Sequence, residues 1–208
     1  MSTLAQMRSR IADDLDRSDL STQIDEAINR AIEYYEKERF YFSETTGTFT
    51  TVASQESYSS SDAAFIANIA EIDLIRITFS STDKREIKSE TFGYVQLLND
   101  DASIGRPTRW AWYQGKIYFA PIPNDAWTAT VFYQKKYSEL SLDADTNDFT
   151  AEAEDLIESR ARAWIYARVI KDVDQAQIAK AEESEAINAL REKTRKLTSS
   201  NKVTPSSF

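Results

Sequence analysis

The stretch from Lys116 to Tyr137 constrains the fold most, because it has the pattern of two aromatic-rich strands. A Pro-Ile-Pro-Asn-Asp turn separates these two predicted strands. In the second strand Trp127, Ala129, Val131 and Tyr133 fall on one face, and Thr128, Thr130 and Phe132 fall on the other. This period of two is typical of a sheet with one buried face. We predict that this strand turns Trp127, Ala129, Val131 and Tyr133 towards the core.

The same region predicts an antiparallel meander of three strands. Its first turn is Gln114-Gly115, and the proline pair forms the second. The predicted strands run from Thr108 to Tyr113, from Lys116 to Ala120 and from Trp127 to Tyr137. Upstream, the composition from Phe40 to Ser61 and the alternation from Ile69 to Phe79 also favour strands.

Helical periodicity precedes and follows this β-rich region. Two N-terminal helices are predicted, Thr3 to Arg17 with Ser2 or Thr3 as the cap and Thr22 to Arg39 with Ser21 as the cap. A short helix follows, capped by Ser89, which contains Phe92, Tyr94, Val95 and Leu98 and ends in the Asn99-Asp100-Asp101 cluster. The last two predicted helices are Phe149 to Lys171 and Val173 to about Leu197. The helix that begins at Phe149 has a wide apolar face, which we expect to pack on the sheet. The last helix is polar and rich in Ala, Glu and Lys.

Together these elements predict an α+β fold with a helical bundle core, made of the N-terminal helical hairpin and the long C-terminal helices. An antiparallel β-meander and hairpin region is inserted between them. We predict one domain over residues 1–198, with the helical core at 3–39 and 149–198 and the β-rich insertion at 40–140. Residues 199–208 are predicted to form an extended C-terminal arm.

The composition argues against most catalytic chemistries. The chain has no histidine and no cysteine, which removes the commonest general base, the commonest metal ligand and every thiol. Its four glycines lie too far apart to form a phosphate-binding loop. We therefore expect no enzyme activity and no cofactor. No apolar run approaches the roughly 20 residues that span a bilayer, so we expect no membrane segment.

Charge is distributed unevenly along the chain. The net charge is −9, which argues against a free-standing nucleic-acid binder, because neutralising phosphates requires an excess of Lys and Arg. From Arg191 onward the sign reverses, with Glu192 as the single acidic residue. Such a tail is either a disordered end or an arm that folds onto a partner. The cations of this arm are Arg191, Lys193, Arg195, Lys196 and Lys202, and its apolar anchors are Val203 and Phe208.

An acidic turn after the last strand has the spacing of a calcium-binding loop. However, Asp148 stands where the sharp turn of such a loop needs glycine, and a strand rather than a helix precedes the turn. A cap for the following helix, supplied by Asn147, Asp148 or Thr150, explains the turn better. We therefore predict no metal site and keep calcium as the weaker alternative. Its ligands would be Asp143, Asp145, Asn147 and Glu154.

Aromatic side chains in the meander support a second interpretation, a non-catalytic interaction or carbohydrate-binding module that uses exposed rings. Cross-strand packing within a sheet accounts for the same residues, and we favour it. A hydrolase built on two carboxylates is a third interpretation, but nothing selects a pair among 34 acidic residues. The aromatic candidates are Trp110, Trp112, Tyr113, Tyr118, Phe119 and Trp127.

Four segments follow one another in an informative order. They are Ile28-Asn29-Arg30-Ala31-Ile32-Glu33-Tyr34-Tyr35 at the end of a helix, Lys116-Ile117-Tyr118-Phe119-Ala120-Pro121-Ile122-Pro123 in a hairpin, the strand from Thr128 to Tyr137, and Ala163-Trp164-Ile165-Tyr166-Ala167 at the end of another helix. This order resembles that of the head-tail connector adaptor proteins of tailed bacteriophages. The resemblance covers most of the chain, and the β-region between Phe40 and Trp110 contributes least to it.

The resemblance implies a structural virion protein. The expected assembly is a homo-oligomeric ring, commonly a dodecamer, that docks beneath the portal protein and extends the channel for passive passage of double-stranded DNA. The ring would offer a docking platform to a downstream tail, stopper or nozzle protein. The implied location is the virion neck, with host cytoplasm as the place of assembly.

In that setting, the basic arm is expected to bind the portal. The tip and the aromatic faces of the predicted hairpin are expected to serve subunit or tail contacts. The residues expected at these contacts are Tyr118, Pro121, Ile122, Pro123 and Trp127.

Overall fold

The structure is a computed structural model that describes residues 1–101 and 103–198. These ranges contain six α-helices and nine strands, so the predicted α+β class is confirmed. The chain divides into two compact units, a helical unit of Met1–Ser43 with the residues from Tyr137 onward, and a β unit of Glu44–Lys136. The single domain over residues 1–198 stays a prediction, and the arm at 199–208 lies outside the described residues.

The elements are named in chain order. The helices are α1 (Leu4–Asp14), α2 (Ser21–Tyr35), α3 (Phe92–Asn99), α4 (Asp148–Glu152), α5 (Glu154–Ile165) and α6 (Val173–Thr198). The strands are β1 (Glu44–Thr50), β2 (Ser57–Tyr58), β3 (Ile69–Thr78), β4 (Lys84–Ser89), β5 (Ile104–Gly105), β6 (Arg109–Tyr113), β7 (Lys116–Ala120), β8 (Ile122–Pro123) and β9 (Thr128–Lys135). Short 3-10 helices occupy Tyr41–Ser43 and Ala64–Asn68, and a π-helical segment, Tyr166–Ile170, follows α5.

Helix starts follow the predicted caps only in part. The Thr3 side chain accepts a hydrogen bond from the backbone N–H of Gln6, and the Gln6 side chain accepts one from Thr3, so the cap of α1 is confirmed. By contrast, Ser21 is the first residue of α2, and no side chain caps this helix. The predicted caps at Ser21 and Ser89 are wrong, since the residue before α3 is Thr91, which makes no capping bond.

The helix predicted from Phe149 to Lys171 is interrupted. Ala153, with φ −139° and ψ 32°, separates α4 from α5, and the π-helical segment follows at Tyr166. The apolar face of α5 is buried against α6, α2 and α1, so the expectation that it packs on the sheet is wrong. Helical periodicity predicts that a face is buried but not which element buries it. The core of this unit includes Leu4, Met7, Ile11, Ile24, Ile28, Phe149, Leu156, Ile157 and Ile165.

The turn before α6 contains a left-handed residue, Lys171, with φ 65° and ψ 34°. This conformation costs a residue with a side chain roughly 1–2 kcal/mol, and glycine adopts it freely. Lys171→Gly is therefore expected to raise the free energy of unfolding by about 0.5–1 kcal/mol in urea titrations. Arg168→Gly, at an exposed position in the π-helical segment, is the control and should lower it by about 1 kcal/mol. A lower free energy of unfolding in both variants would contradict the expectation for Lys171.

The β unit contains a seven-stranded sheet with the order β1-β9-β3-β4-β6-β7-β2. Its neighbouring strands are antiparallel except for β4 and β6, which are parallel, and β5 and β8 form a separate parallel pair. The alternation predicted for β9 is confirmed. Trp127, Ala129, Val131 and Tyr133 are buried, whereas Thr128 is exposed.

The predicted three-stranded meander is wrong in its last pairing. The hairpin of β6 and β7 forms as predicted, with positive φ at Gln114 (48°) and Gly115 (71°) in its two-residue turn. The strand β9 does not pair with β7 but lies between β1 and β3, while β7 pairs with β2 on its other side. The residues that follow β7 form β8, which pairs with β5. Period-two alternation predicts the face of a strand but not its neighbour, which explains the error.

Candidate interaction surfaces

The C-terminal half of α6 is held to the rest of the helical unit by two of the predicted arm cations. The guanidinium of Arg191 donates to both carboxylate oxygens of Glu38, at 2.6 and 2.8 Å. The Lys193 ammonium donates to Glu152 at 2.9 Å and lies 4.8 Å from the ring centre of Tyr41, whose hydroxyl also donates to Glu152. The bond from Tyr41, and then that from Lys193, lowers the pKa of Glu152. These contacts keep the carboxylate charged at neutral pH.

The next two cations of α6, Arg195 and Lys196, make no ion pair with another element of the described chain. Arg195 is exposed and, within the described part of the chain, has no carboxylate within ion-pair distance. Lys196 is paired only along its own helix, with Glu192 at 2.7 Å. The remaining predicted arm residues, Lys202, Val203 and Phe208, lie outside the described residues. The portal-binding role of the whole set stays a prediction.

The residues predicted at subunit or tail contacts are placed at different depths of the β unit. Trp127 is buried, with its ring edge-on to Phe79 at 5.0 Å, and Pro123 is also buried. Tyr118, Pro121 and Ile122 are half-buried. Tyr118 lies edge-on to Phe92 at 4.9 Å, and Ile122 pairs with Ile104 in the β5–β8 ladder. The accessible part of this set is therefore Tyr118, Pro121 and Ile122.

The aromatic side chains of the proposed carbohydrate-binding module are mostly engaged within the sheet. Trp110 and Phe119 are buried, as is Trp127, and the Trp110 indole N–H donates to the carbonyl of Ile87 at 3.1 Å. Tyr113 is 42% exposed, but its ring stacks on Phe92 at 4.1 Å. Cross-strand and strand–helix packing accounts for these rings.

The four candidate calcium ligands have partners of their own. Asp145 accepts hydrogen bonds from the backbone N–H groups of Ser141 and Leu142, both at 2.8 Å, and Asn147 caps α4 in a reciprocal pair with Thr150. Asp143 pairs with Arg8 at 3.0 Å, and Glu154 contacts Arg10. The predicted cap at Asn147 is confirmed. Within the residues that the structure describes, no three acidic side chains are grouped to hold a metal.

For carboxylate chemistry the residue to consider is Glu158 of α5, because its side chain is largely withdrawn from solvent. Burial raises the pKa of its carboxyl, as a general acid would require. However, Arg10 donates to this carboxylate at 2.9 Å, and the pair joins α1 to α5. We interpret Glu158 as part of the packing of these helices.

A polar network that the sequence did not predict joins α2, α5 and α6. The Arg160 guanidinium and the Tyr35 hydroxyl both donate to one oxygen of Glu183, each at 2.5 Å. The Arg160 guanidinium also lies 3.4 Å from the ring centre of Tyr34, a favourable cation–π geometry. Burial, and then the bond to Glu183, raises the pKa of the Tyr35 hydroxyl, which therefore remains protonated. The sequence signal was an arginine within the apolar stretch of α5.

A groove of about 230 Å³ lies beside this network on the helical unit. Tyr34, which is 53% exposed, and Trp164 supply aromatic walls, and Arg30 lies 5.3 Å over the Trp164 ring. The groove combines apolar area with cations, as protein-binding surfaces do.

No helix in the described ranges is long and apolar enough to cross a membrane. The polar side chains described above mainly join helices and strands, and the groove of the helical unit is lined by both apolar and charged residues. These features describe an α+β protein whose polar side chains, within the described residues, mainly serve its own packing.

A model of the SU10 adaptor protein family matches residues 2–205. The chain therefore belongs to the SU10 adaptor protein family, and the family implies a structural adaptor role in a bacteriophage, at the neck of the virion. A comparison with curated protein sequences finds no match.

Proposed function

We propose that this protein is a head-tail adaptor that assembles into a homo-oligomeric ring of about twelve subunits, following the commonest assembly implied by the family resemblance. The ring binds the portal, extends the DNA channel and gives tail components a docking platform. In this proposal the helices form the bundle core of the adaptor, with the β-rich region as an insertion. Assembly takes place in the host cytoplasm.

The observation that carries the proposal is the family match, which spans both compact units and not one of them alone. The net charge of −9 supports passive DNA passage, because an acidic channel wall repels phosphates and does not retain the genome. The two units offer different surfaces, and a ring requires each subunit to contact its two neighbours through two different faces.

The contacts of α6 near Arg191 support a role for the C-terminal arm at the portal. Arg191 and Lys193 bind Glu38 and Glu152, so this part of the helix is held to the helical unit. Arg195 and Lys196 are exposed just beyond these contacts; Lys196 is paired with Glu192 of its own helix, and Arg195 is available to an acidic partner surface. Cations in such positions mainly accelerate association and select the partner.

Deletion of Asn201–Phe208 is expected to abolish attachment to the portal while leaving the protein folded, because the contacts of Arg191 and Lys193 remain. Co-sedimentation with purified portal complexes measures attachment, and electron microscopy of the same mixtures locates the ring. Lys180→Glu, an exposed change on the same helix, is the control and should attach normally. Unchanged attachment after the deletion would disprove the role of the arm. Failure of the full-length protein to attach would disprove the proposed function.

A further inference from the structure

The β unit carries a groove of about 200 Å³ that neither the arm nor the hairpin tip includes, and we call it the β4 groove. Its apolar walls include Phe79, Ile87 and Pro107, of which the last two are buried. Four cations and one acidic residue line it, although the β unit as a whole has nine Lys and Arg against eleven Asp and Glu. The charged lining residues are Arg85, Glu86, Lys88, Arg106 and Arg109.

Internal contacts position the three arginines of the β4 groove. Arg85 and Arg106 share Asp83, at 2.7 and 3.1 Å, and the Arg106 guanidinium lies 5.0 Å over the Phe79 ring. Arg109 pairs with Glu90 at 2.6 Å. Arg85 and Arg106 nevertheless keep more than half of their side-chain surface exposed, at 65% and 58%. They are pre-oriented and can still bind another molecule.

Lys88 is the cation of the β4 groove that lacks a partner in the described chain. Its side chain is exposed on β4, and no carboxylate among the described residues lies within 4 Å of its ammonium group. The lining holds four cations against one acidic residue, so the local charge of the groove is positive and attracts an anionic surface. The β4 groove therefore fits an acidic partner.

Apolar surface continues from the β4 groove onto α3. The Arg109 guanidinium lies 5.7 Å over the ring of Tyr94, which is 40% exposed, and Leu97, one helical turn further on, is 63% exposed. Arg, Tyr and exposed Leu bordered by charge are typical of a protein interface with an apolar centre and a polar rim. A DNA backbone would instead favour a continuous stripe of cations, whereas exposed Tyr94 and Leu97 border the four cations here.

A second copy of this chain supplies the matching charge. Outside the β unit the sequence contains 23 Asp and Glu against 16 Lys and Arg, so the helical unit is strongly acidic. We infer that the β4 groove, together with Tyr94 and Leu97, binds the carboxylate-rich surface of the helical unit of a neighbouring subunit. This inference rests on the proposed ring and identifies one of its two subunit faces.

Lys88→Glu tests the inference in the full-length protein. Because it places a carboxylate against an acidic surface, it is expected to weaken ring assembly on the portal about tenfold or more, as measured by mass photometry. Lys116→Glu changes the net charge equally at an exposed position on β7, outside the β4 groove, and should assemble as the unaltered protein does. Circular dichroism of both variants checks that they are folded.

Carbodiimide cross-linking of mixed isotope-labelled and unlabelled rings provides the second measurement, since it joins lysines to carboxylates in direct contact. We expect Lys88 to be linked to acidic residues of the helical unit of another copy. The inference would be overturned if Lys88→Glu still formed intact rings, or if Lys88 were linked only to the portal. It would also be overturned if the only defect of Lys88→Glu were a loss of binding to duplex DNA. If the unaltered protein forms no ring at all, the proposed function itself is wrong.

Discussion

Phe149→Ala is expected to lower the free energy of unfolding by about 3–5 kcal/mol, the usual cost of truncating a buried phenylalanine. The Phe149 side chain is completely buried, and its ring meets Phe40, Phe42 and Tyr137 edge-on, with centroids 6.0, 5.2 and 4.9 Å away. Alanine would leave a cavity at the centre of this aromatic cluster. Urea denaturation followed by circular dichroism measures the change.

Phe149→Leu is the matched control, because it keeps most of the apolar volume and should cost distinctly less than the alanine variant. If the cavity causes the destabilisation, Phe149→Ala loses much more free energy of unfolding than Phe149→Leu. If any substitution at this position is harmful, the two variants lose similar amounts. A loss below about 1 kcal/mol for Phe149→Ala would mean that the three partner rings close the gap, and that the cluster is not tightly packed.

Gly47→Ala is expected to cost about 1–3 kcal/mol through overpacking. A Cβ atom on Gly47 of β1 would lie 2.5 Å from two ring carbons of Phe65, closer than any real contact of this kind. The ring cannot move freely, because it stacks on Tyr133 at 5.4 Å. Accommodation of the methyl group therefore requires loss of that stacking or a shift of the strand.

A double-mutant cycle with Phe65→Ala identifies the cause. In the background without the Phe65 ring, Gly47→Ala should cost nothing or be slightly stabilising, since alanine is no worse than glycine in a strand. The coupling free energy between the two sites should then account for nearly all of the stability that Gly47→Ala loses on its own. Additive losses would show that β1 rejects a side chain at this position for another reason.

The sequence predicted what depends on local spacing. The inward face of β9, the cap at Thr3, the cap at Asn147 and the extent of α6 follow from residues within a few positions of one another. The position of β9 between β1 and β3 depends on pairing across the whole β unit, and alternation is the same for any neighbour.

The interaction surfaces were harder to predict, because their residues are distant in sequence. Tyr35 and Glu183 share a hydrogen bond across 148 positions, and Arg109 and Glu90 pair across 19. Of the predicted arm cations, Arg191 and Lys193 are internal anchors of α6, which a count of charges cannot distinguish from exposed cations. Net charge predicts the sign of a surface but not which of its charges are already neutralised.

The strands β4 and β6 are joined by a short parallel pairing, which we call the seam of the sheet. Only two residue pairs join these strands, Lys88 with Arg109 and Ser89 with Trp110, whereas β9 is paired along most of its length on both sides. Few backbone hydrogen bonds therefore couple the ladder β1-β9-β3-β4 to β6-β7-β2, and buried side chains of one apolar cluster join the two sides instead. Lys88 and Arg109 also line the β4 groove, so a subunit bound there would hold the two sides of this seam together.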